Sequence, residues 1–344
     1  MVPDDDMRAN LPDYFDIQEG RKHARYLVAR SIGVHIDRKA TLKELWAVHE
    51  TGLDEYRKRD LSEKPTPVKD NLLGLKVLIA DRILEECQLC ERRCRVDRKN
   101  GRTGVCGVTD EPRISSEFLH MGEEPELVPS HTIFFSGCTF KCVYCQNWDI
   151  SQEPASGDWL APKEVADIID RRRGRNVNWV GGDPTSNLPF ILEVLRRLDL
   201  NIAQVWNSNM YLTEEAMRLL DGTMDIYLAD FKYGNDDCAE RLSGVKKYFK
   251  VVARNHLEAN RQCEMIIRHL VLPGHFDCCL KPVLDWISKN LDNRKVRVNI
   301  MDQYRPEYLV GKDPKGYPDI GSKLSPNEWL KAYHYGKKLG LNLV

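Results

Sequence analysis

The second half of the chain alternates short apolar runs with amphipathic segments. Runs rich in β-branched and aromatic residues predict buried strands, and apolar residues at three- and four-residue intervals predict helices between them. The predicted strands are 132–136, 177–180, 202–206, 225–229, 264–272 and 296–301. The predicted helices are 163–172, 188–198, 213–220, 236–242, 281–291 and 326–339. This alternation predicts parallel strands joined by crossover helices.

Six strand–helix units make three quarters of an eight-unit barrel. We therefore expect an α/β fold with a partial (β/α)6 barrel of the TIM type, with an open side that a large substrate would need. The N-terminal part instead shows helical periodicity over 21–34, 42–60 and 71–86. The predicted organisation is a helical region at 1–86, a cysteine-rich metal-binding segment at 87–110, the barrel at 130–310, and at 311–344 a C-terminal helix packing on the barrel.

Composition narrows the class of protein. Of 344 residues, 42% are apolar and 30% charged, which is typical of globular proteins. With 51 basic and 52 acidic residues, no global field attracts nucleic acid or a membrane surface. The acidic start, 1–6, lacks the apolar core of a signal peptide. We expect a cytoplasmic protein whose eleven cysteines stay reduced and include metal ligands, with no membrane or nucleic-acid partner.

Three cysteines follow the first predicted strand with the spacing C-x3-C-x2-C. They are Cys138, Cys142 and Cys145, and no other cysteine follows within ninety residues. Thiolates select zinc, copper(I) or iron–sulfur clusters. A 4Fe-4S cluster takes four cysteine ligands, so a cluster on these three would keep one iron open to a small molecule. The alternative is a zinc knuckle or three buried apolar positions.

A second cysteine group precedes the barrel. Cys87, Cys90, Cys94 and Cys106 have the spacing C-x2-C-x3-C-x11-C, with charged residues between them. Four cysteines within twenty residues can close on one zinc ion. They could equally hold an auxiliary iron–sulfur cluster. The sequence predicts a metal site here without deciding which metal.

The carboxyl ends of the predicted strands carry polar or glycine-rich residues. Active sites of barrels lie at these ends. Asp230 and Lys232 would share one face of their strand, because strand side chains alternate. A single polar strand end is a weak signal, but several beside a cysteine loop indicate one site. The candidates are Gly181, Gly182, Asp183, Asn207, Asp230, Lys232, Arg268 and Gln303.

The cysteine spacing, with the aromatic Tyr144 before the third cysteine, resembles the signature of the radical S-adenosylmethionine (SAM) superfamily. The resemblance implies a 4Fe-4S cluster on Cys138, Cys142 and Cys145 whose open iron binds SAM. It further implies reductive cleavage of SAM to methionine and a 5′-deoxyadenosyl radical, which abstracts a hydrogen atom. Such chemistry implies a low-potential electron donor, ferredoxin or flavodoxin.

The strand-end residues resemble more closely the pyruvate formate-lyase activating enzyme branch, especially its uncharacterised relatives with a cysteine-rich N-terminal extension. The resemblance implies that Gly181, Gly182 and Asp183 form the Gly-Gly-Glu motif that contacts the SAM amino group, with Asp for Glu. Asp230 and Lys232 match the Asp-x-Lys pair that holds the methionyl moiety. The other implied SAM contacts are Tyr144, Asn207 (acidic in the activase), Arg268, and either Gln303 or Tyr304, where the activase has a histidine.

We therefore expect a radical SAM enzyme, most like an activase that abstracts hydrogen from a protein or peptide. Activases of larger glycyl-radical enzymes carry extra cysteines after the radical motif, whereas here they precede the barrel. The alternatives are a radical SAM methyltransferase or synthase acting on a small molecule, and a non-catalytic iron–sulfur or zinc protein. We predict structural roles for Cys278, Cys279 and His275, with a reactive thiol at Cys278 or Cys279 as the alternative. Glu123 and Glu124 are predicted to form a solvated turn, with closure over the site as the alternative.

Overall fold

The computed structural model describes residues 5–152, 156–293 and 295–344. Residues 1–4, which belong to the acidic start, lie outside these ranges. The strands are β1 (Ile114–His120), β2 (Ser130–Phe135), β3 (Asn176–Gly181), β4 (Ala203–Ser208), β5 (Ile226–Asp230), β6 (Glu264–Leu270) and β7 (Val296–Met301). The N-terminal helices are α1 (Asp5–Asn10), α2 (Pro12–Gln18), α3 (Arg25–Ala29), α4 (Leu42–Tyr56) and α5 (Leu72–Ile83).

The remaining helices lie between and after the strands. They are α6 (Trp148–Ser151), α7 (Pro162–Arg171), α8 (Leu188–Arg197), α9 (Glu214–Leu220), α10 (Asp236–Ser243), α11 (Tyr248–Gln262), α12 (Lys281–Asn290), α13 (Tyr308–Lys312) and α14 (Pro326–Lys338). Among the residues that the structure describes, no helix has both the length and the apolar character required to span a membrane. The division of the chain into domains stays a prediction.

The seven strands form one sheet in the order β1 to β7. Strands β2 to β7 are parallel, and each pairs with its neighbour in sequence. The six predicted strands and the α/β class with parallel crossovers are confirmed. The sequence analysis missed β1, which pairs antiparallel with β2 at the edge of the sheet. Most of its side chains are partly or fully exposed, so it lacks the apolar run that marks a buried strand.

The inner strands are buried on both faces. Every residue of β4 is buried, and the large side chains of Trp179, Trp206 and Tyr227 are fully enclosed. Helices cover a parallel sheet on its faces, so such strands read as continuous apolar runs rather than as alternating patterns. This burial is why the apolar runs located these strands from sequence.

The six predicted helices of the barrel are confirmed within one or two residues at each end. The sequence analysis missed α11, a helix of 15 residues. Its buried face includes Asn255, His256 and Gln262, which are polar. The amide of Asn255 donates to the carbonyls of Met210 and Leu212, at 2.8 Å in both cases. A helix whose inner face is partly polar gives a weak apolar period.

The N-terminal helices pack against the amino ends of the barrel strands. The backbone N–H of Ala24 donates to the side chain of Asn201, at 2.8 Å, and that of Arg25 to Asp225, at 2.9 Å. The helix predicted at 21–34 is wrong in length, because only α3 forms there. Beyond it the backbone bonds another segment instead, with the carbonyl of Ile32 accepting from the N–H of Leu72 at 2.9 Å.

Residues between β1 and β2 lie across the open side of the sheet. Glu123 accepts from the amide of Asn178 in β3, at 3.1 Å. The adjacent Glu124 accepts from the amide of Asn299 in β7, at 2.8 Å, and from the guanidinium of Arg268 in β6, at 2.7 Å. One short connection thus contacts strands on both halves of the sheet, which requires the sheet to curl. The prediction of a solvated turn at Glu123 and Glu124 is wrong, since both side chains are almost fully buried.

Candidate active site

A cavity of about 600 Å³ opens at the carboxyl ends of the strands. It contains on its walls all three cysteines of the first predicted metal site and all nine predicted cofactor contacts. These residues are Cys138, Cys142, Cys145, Tyr144, Gly181, Gly182, Asp183, Asn207, Asp230, Lys232, Arg268 and Gln303. The structure therefore brings together residues spread over 166 positions of sequence (138 to 303). Their roles as ligands stay a prediction.

The cysteine loop follows β2, and backbone hydrogen bonds to neighbouring segments hold it in place. The N–H of Gly137 donates to the carbonyl of Ile150, at 2.8 Å. Further along, the N–H groups of Lys141 and Val143 donate to the carbonyls of Ser243 and Leu242 at the end of α10, at 3.0 and 2.9 Å. The loop is thus anchored to the helix that follows β5, and its thiols face the cavity between these anchors.

A polar group lies within hydrogen-bonding distance of the sulfur atom of each of the three cysteines. The backbone N–H of Phe140 donates to Sγ of Cys138, at 3.3 Å. The hydroxyl of Ser243 lies 2.9 Å from Sγ of Cys142, and that of Ser151 lies 3.2 Å from Sγ of Cys145. Hydrogen bonds to ligating sulfur stabilise thiolate charge and influence the potential of a cluster.

A hydrogen-bonded chain runs from Tyr144 to Cys142. The hydroxyls of Tyr144 and Tyr233 are 2.6 Å apart, and the hydroxyl of Tyr233 is 2.6 Å from that of Ser243. Ser243 in turn contacts the thiol of Cys142. The aromatic before the third cysteine therefore orients a hydroxyl network behind the second cysteine. The sequence motif marked Tyr144 but not Tyr233 or Ser243.

Burial disfavours the charged form of two of the three thiols, those of Cys138 and Cys142. It raises the pKa of Cys138 well above its ordinary value, with the negative charge of Asp183 adding to the effect. It raises the pKa of Cys142 to about 12, with the charge of Cys145 adding to it. Deprotonated sulfur in this pocket therefore requires a positive partner, which a metal centre supplies. Three converging thiols with free volume in front of them fit a cluster that takes a fourth ligand from a small molecule.

Gly181, the last residue of β3, and Gly182, which follows it, allow neighbouring backbone segments to approach closely. A Cβ atom on Gly181 would lie 2.1 Å from the carbonyl oxygen of Phe135, and one on Gly182 would lie 2.1 Å from that of Gly137. Gly181 also has φ = 130°, which side chains disfavour. The N–H of Gly182 donates to the carbonyl of Phe135, at 2.9 Å. Glycine is therefore required here to seat the cysteine loop against β3.

Asp183 joins the ends of β3 and β4. Its carboxylate accepts from the N–H of Thr185 at 2.9 Å, from the hydroxyl of Ser208 at 3.0 Å and from the N–H of Asn209 at 3.0 Å. Burial raises the pKa of Asp183 despite these donors. The side-chain hydroxyl of Thr185 is a fourth donor, so the roughly four acceptor positions of this carboxylate are occupied.

Asp230 and Lys232 form an ion pair on the cavity wall. Nζ of Lys232 lies 2.7 Å from Oδ2 of Asp230, and each side chain is 22% exposed. Burial alone would lower the pKa of Lys232, but the charge of Asp230 and its hydrogen bond to the ammonium raise it. The ammonium therefore stays charged, and the pair presents both signs of charge beside the cysteine loop.

Arg268 contacts two acidic residues that are not among the predicted SAM contacts. Its guanidinium contacts Glu124 at 2.5 and 2.7 Å and also bonds to Glu123. His120 lies 3.0 Å from Glu123. Burial would raise the pKa of Glu123, but the bond to His120 and the charge of Arg268 lower it to about 2. The only sequence signal was two adjacent glutamates before a strand.

The last predicted contacts lie along the same rim. The carbonyl of Gln303 accepts from the side chain of Gln146, at 2.9 Å, so the segment after β7 is tied to the cysteine loop. Asn207 is buried at the end of β4. The neighbouring Tyr304 packs edge-on against Tyr144, with 5.8 Å between ring centroids, and is buried. Gln303 rather than Tyr304 lines the cavity.

The second predicted metal site lies apart from the cavity. The backbone of Cys90 forms an isolated antiparallel β-bridge with that of Leu212, in the segment after β4. Burial raises the pKa of the Cys90 thiol, and the charges of Cys106, Cys87 and Cys94 act in the same direction. The metal site at these four cysteines stays a prediction.

The chain is similar to several known proteins. The family model described as the radical SAM superfamily matches residues 132–287. An uncharacterized protein of Methanocaldococcus jannaschii is 49% identical over 347 residues, covering 97% of this chain and 99% of that protein. Pyruvate formate-lyase 1-activating enzyme of Escherichia coli is 23% identical over 152 residues, covering 42% of this chain and 61% of that enzyme. A domain of a pyruvate-formate lyase-activating enzyme from Bacteroides vulgatus aligns with a TM-score of 0.40 and 13% identity, covering 50% of this chain and 98% of that one.

Proposed function

Because this chain belongs to the radical SAM superfamily, we propose that Cys138, Cys142 and Cys145 hold a 4Fe-4S cluster at which the enzyme cleaves SAM. The proposal rests on the observation that these thiols and every predicted SAM contact line the same cavity. When bound, the reduced cluster supplies the electron that divides SAM into methionine and a 5′-deoxyadenosyl radical, which takes a hydrogen atom from the substrate. The electron comes from a low-potential donor of the ferredoxin or flavodoxin kind.

The residues of the cavity bind and orient SAM. Asp230 and Lys232 present a carboxylate and an ammonium, which complement the ammonium and carboxylate of the methionyl group. Asp183, on the wall of the same cavity, is the proposed further contact of that ammonium. Gly182 lets the backbone approach closely beside Cys138, where an added Cβ would lie 3.0 Å from the Cβ of Cys138. Positioning of this kind lowers the barrier because the reacting groups are already aligned.

We propose hydrogen abstraction from a protein or peptide as the reaction of this enzyme. The alignment with the Escherichia coli activating enzyme supports this class of substrate. The cysteine group at 87–106 would hold zinc or an auxiliary iron–sulfur cluster, as the sequence spacing of its four cysteines suggests. The function would be exercised in the cytoplasm, where thiols stay reduced.

A small-molecule substrate is the second candidate. The connection with Glu123 and Glu124 crosses the open side of the barrel and is held there by Arg268. A large substrate would need that side open, whereas a small molecule fits within a closed cavity. A methyltransferase or synthase reaction would then replace activation of a protein.

The test of SAM cleavage uses the full chain, reconstituted with iron and sulfide and reduced with dithionite. The wild type is expected to release 5′-deoxyadenosine, and the Cys138→Ala/Cys142→Ala/Cys145→Ala variant is expected to release none, because it offers no ligands to the cluster. Cys263→Ala is the matched control, since Cys263 is also a buried free thiol but does not line the cavity. Release of 5′-deoxyadenosine by the triple variant would refute the proposal.

The class of substrate can be identified by measuring which molecules transfer deuterium to 5′-deoxyadenosine. An extract of the source organism grown in deuterated medium is divided by ultrafiltration into macromolecules and small molecules, and each fraction is added to the reduced enzyme with SAM. Mass spectrometry of 5′-deoxyadenosine then reports which fraction donated deuterium. Label from the macromolecular fraction would support a protein or peptide substrate, and label from the filtrate would support the small-molecule candidate.

A further inference from the structure

Four potential metal ligands meet at a place outside the cavity. They are Cys238 near the start of α10, His275 after β6, and Cys278 and Cys279 in the π-helical turn Phe276–Leu280. Their ligand atoms all lie within 4.8 Å of one another. None of the four is among the residues that line the cavity. The sequence analysis predicted structural roles for three of them and did not consider Cys238.

The distances within this group match one shared tetrahedral ion. Nδ1 of His275 lies 3.7 Å from Sγ of Cys238, 3.4 Å from Sγ of Cys278 and 3.5 Å from Sγ of Cys279. Sγ of Cys278 lies 4.0 Å from that of Cys238 and 3.9 Å from that of Cys279. Zinc bonds of about 2.3 Å to sulfur and about 2.0 Å to nitrogen separate tetrahedral ligands by roughly 3.7 Å between sulfurs and roughly 3.5 Å between sulfur and nitrogen.

The imidazole of His275 is oriented as a metal ligand. Its Nδ1 faces the three thiols, and its Nε2 lies 2.8 Å from Oδ2 of Asp319. Asp319 is held in turn by Arg241 of α10, whose Nη1 is 3.3 Å from its Oδ1. A carboxylate on the far nitrogen of a ligating histidine fixes the ring and its tautomer, and this arrangement is common at zinc sites.

The backbone around the group is packed to bring these ligands together. A Cβ atom on Gly234 would lie 2.7 Å from the carbonyl oxygens of both Cys278 and Cys279, so the loop after β5 touches the π-helical turn at a glycine. The amide of Asn235 donates to the carbonyl of Cys278, at 2.7 Å. The side-chain oxygen of Asn235 also accepts from the N–H of Cys238, at 2.8 Å. These contacts hold Cys238 against the other three ligands.

We propose that Cys238, His275, Cys278 and Cys279 bind one zinc ion. Three thiolates and one imidazole are a ligand set of structural zinc, and four protein ligands leave no open position for catalysis. A multinuclear iron–sulfur cluster would place a separate iron behind each ligand and spread the ligands further apart. The proposal is independent of the proposed function, because it concerns residues outside the SAM cavity.

The ion would connect the segments after β5 and β6, and through Asp319 the C-terminal segment. Helix α10, which carries Cys238, ends at Ser243, and Ser243 contacts the thiol of Cys142 in the cavity. The role of the zinc is therefore to hold α10 in place behind the cysteine loop.

The first test measures zinc per chain in the full-length protein, purified without oxygen and dialysed against buffer free of metal. Cys279→Ser is expected to lose one equivalent relative to the wild type. Cys263→Ser is the matched control, a buried thiol outside the group that should keep the wild-type content. Any zinc at 87–106 is present in all three proteins and cancels in the difference. Equal zinc in Cys279→Ser and the wild type would overturn the proposal.

A second test uses a variant that keeps all four ligands and therefore does not depend on losing one. Asp319→Asn is expected to weaken zinc binding about 10- to 100-fold, because it removes the carboxylate that orients His275. The readout is the chelator concentration at which that one equivalent of zinc is released. Asp313→Asn, in the same C-terminal segment, is the control, since Asp313 bonds only locally to Gly316. Wild-type chelator resistance in Asp319→Asn would contradict the assignment of His275 as a ligand.

Discussion

The Asp230–Lys232 pair illustrates, at the scale of single residues, how one contact admits two interpretations. The two side chains are 2.7 Å apart and partly buried, so they could stabilise the fold as an ion pair. A solvent-exposed ion pair contributes only about 0–1 kcal/mol to the free energy of unfolding. Their position on the wall of the cavity, beside the thiol of Cys142, instead supports a role in holding a zwitterion.

Replacing either partner separates these two interpretations. Losing one partner of a buried, charge-assisted contact to SAM costs about 2–5 kcal/mol of binding. Asp230→Asn and Lys232→Met are therefore expected to weaken SAM binding about tenfold or more, since each ~1.4 kcal/mol is a factor of ten. A SAM titration followed by the spectrum of the reconstituted cluster measures this loss.

The matched control for this pair is Lys163→Met, which breaks the exposed ion pair with Asp167 on α7 and should leave SAM affinity unchanged. Wild-type affinity in both Asp230→Asn and Lys232→Met would assign the pair to stability alone.

Helix α2 shows, at the scale of elements, how a distant residue can complete a helix. Its N-cap residue, Leu11, offers no side-chain hydrogen bond to the first turn. Glu264, at the start of β6, supplies it instead: its carboxylate accepts from the N–H of Asp13 at 2.6 Å and from that of Tyr14 at 2.9 Å. Free N–H groups at a helix start must find acceptors when they are buried. The barrel thus provides the cap of a helix 250 residues earlier in the chain.

Removing this cap should destabilise the protein. Glu264→Ala is expected to lower the free energy of unfolding by about 0.5–2 kcal/mol, which is the usual cost of losing an N-cap. Glu264→Gln keeps one carbonyl acceptor and should fall between the wild type and the alanine variant. Urea denaturation followed by circular dichroism measures the difference. An unchanged midpoint in Glu264→Ala would show that water satisfies the two N–H groups equally well.

The N-terminal helices and the barrel form, at the scale of the whole molecule, a shared interior that contains charged groups. Lys76 of α5 is fully buried, and its Nζ lies 2.8 Å from Nε2 of His49 in α4 and 2.9 Å from the carbonyl of Arg218 in α9. Burial lowers the pKa of Lys76 from 10.5 to about 7, although the charges of Asp221 and Glu50 oppose the shift. The folded protein therefore binds this proton less strongly than the unfolded chain does.

This shift predicts a dependence of stability on pH. Between pH 7 and 10.5 the unfolded chain keeps a proton on Lys76 that the folded protein has released, so the free energy of unfolding rises with pH in that window. Below pH 7 both states carry the proton and the full cost of burying the charge is present. In Lys76→Met this contribution disappears.

The difference in unfolding free energy between the wild type and Lys76→Met is therefore expected to shift in favour of the wild type as pH rises from 7 to 10.5. Denaturation at several pH values measures it, and taking the difference removes the other groups that titrate in this range. A difference that stays constant with pH would mean that the lysine keeps an ordinary pKa in the folded protein.

The sequence by itself was enough to predict the parallel strands, the cysteine loop and twelve of the residues that line the cavity. Apolar runs and short spacings are local, and a residue at the carboxyl end of a parallel strand must face the same edge of the sheet as its neighbours. Asp230 and Lys232 could therefore be assigned to one site with Cys138 before any contact was known. Strand β1 and helix α11 were not predicted, because their exposed or polar residues weaken the local periodicity of apolar residues.

Only the tertiary structure decided which distant side chains meet. Glu124 closes the open side of the barrel because the sheet curls until β6 and β7 reach it. Glu264 caps α2, and Cys238 meets His275 across 37 positions of sequence. None of these pairs has a characteristic spacing, since each is brought together by the packing of separate elements. Local chemistry can be predicted from the order of residues, whereas contacts between elements depend on how those elements pack.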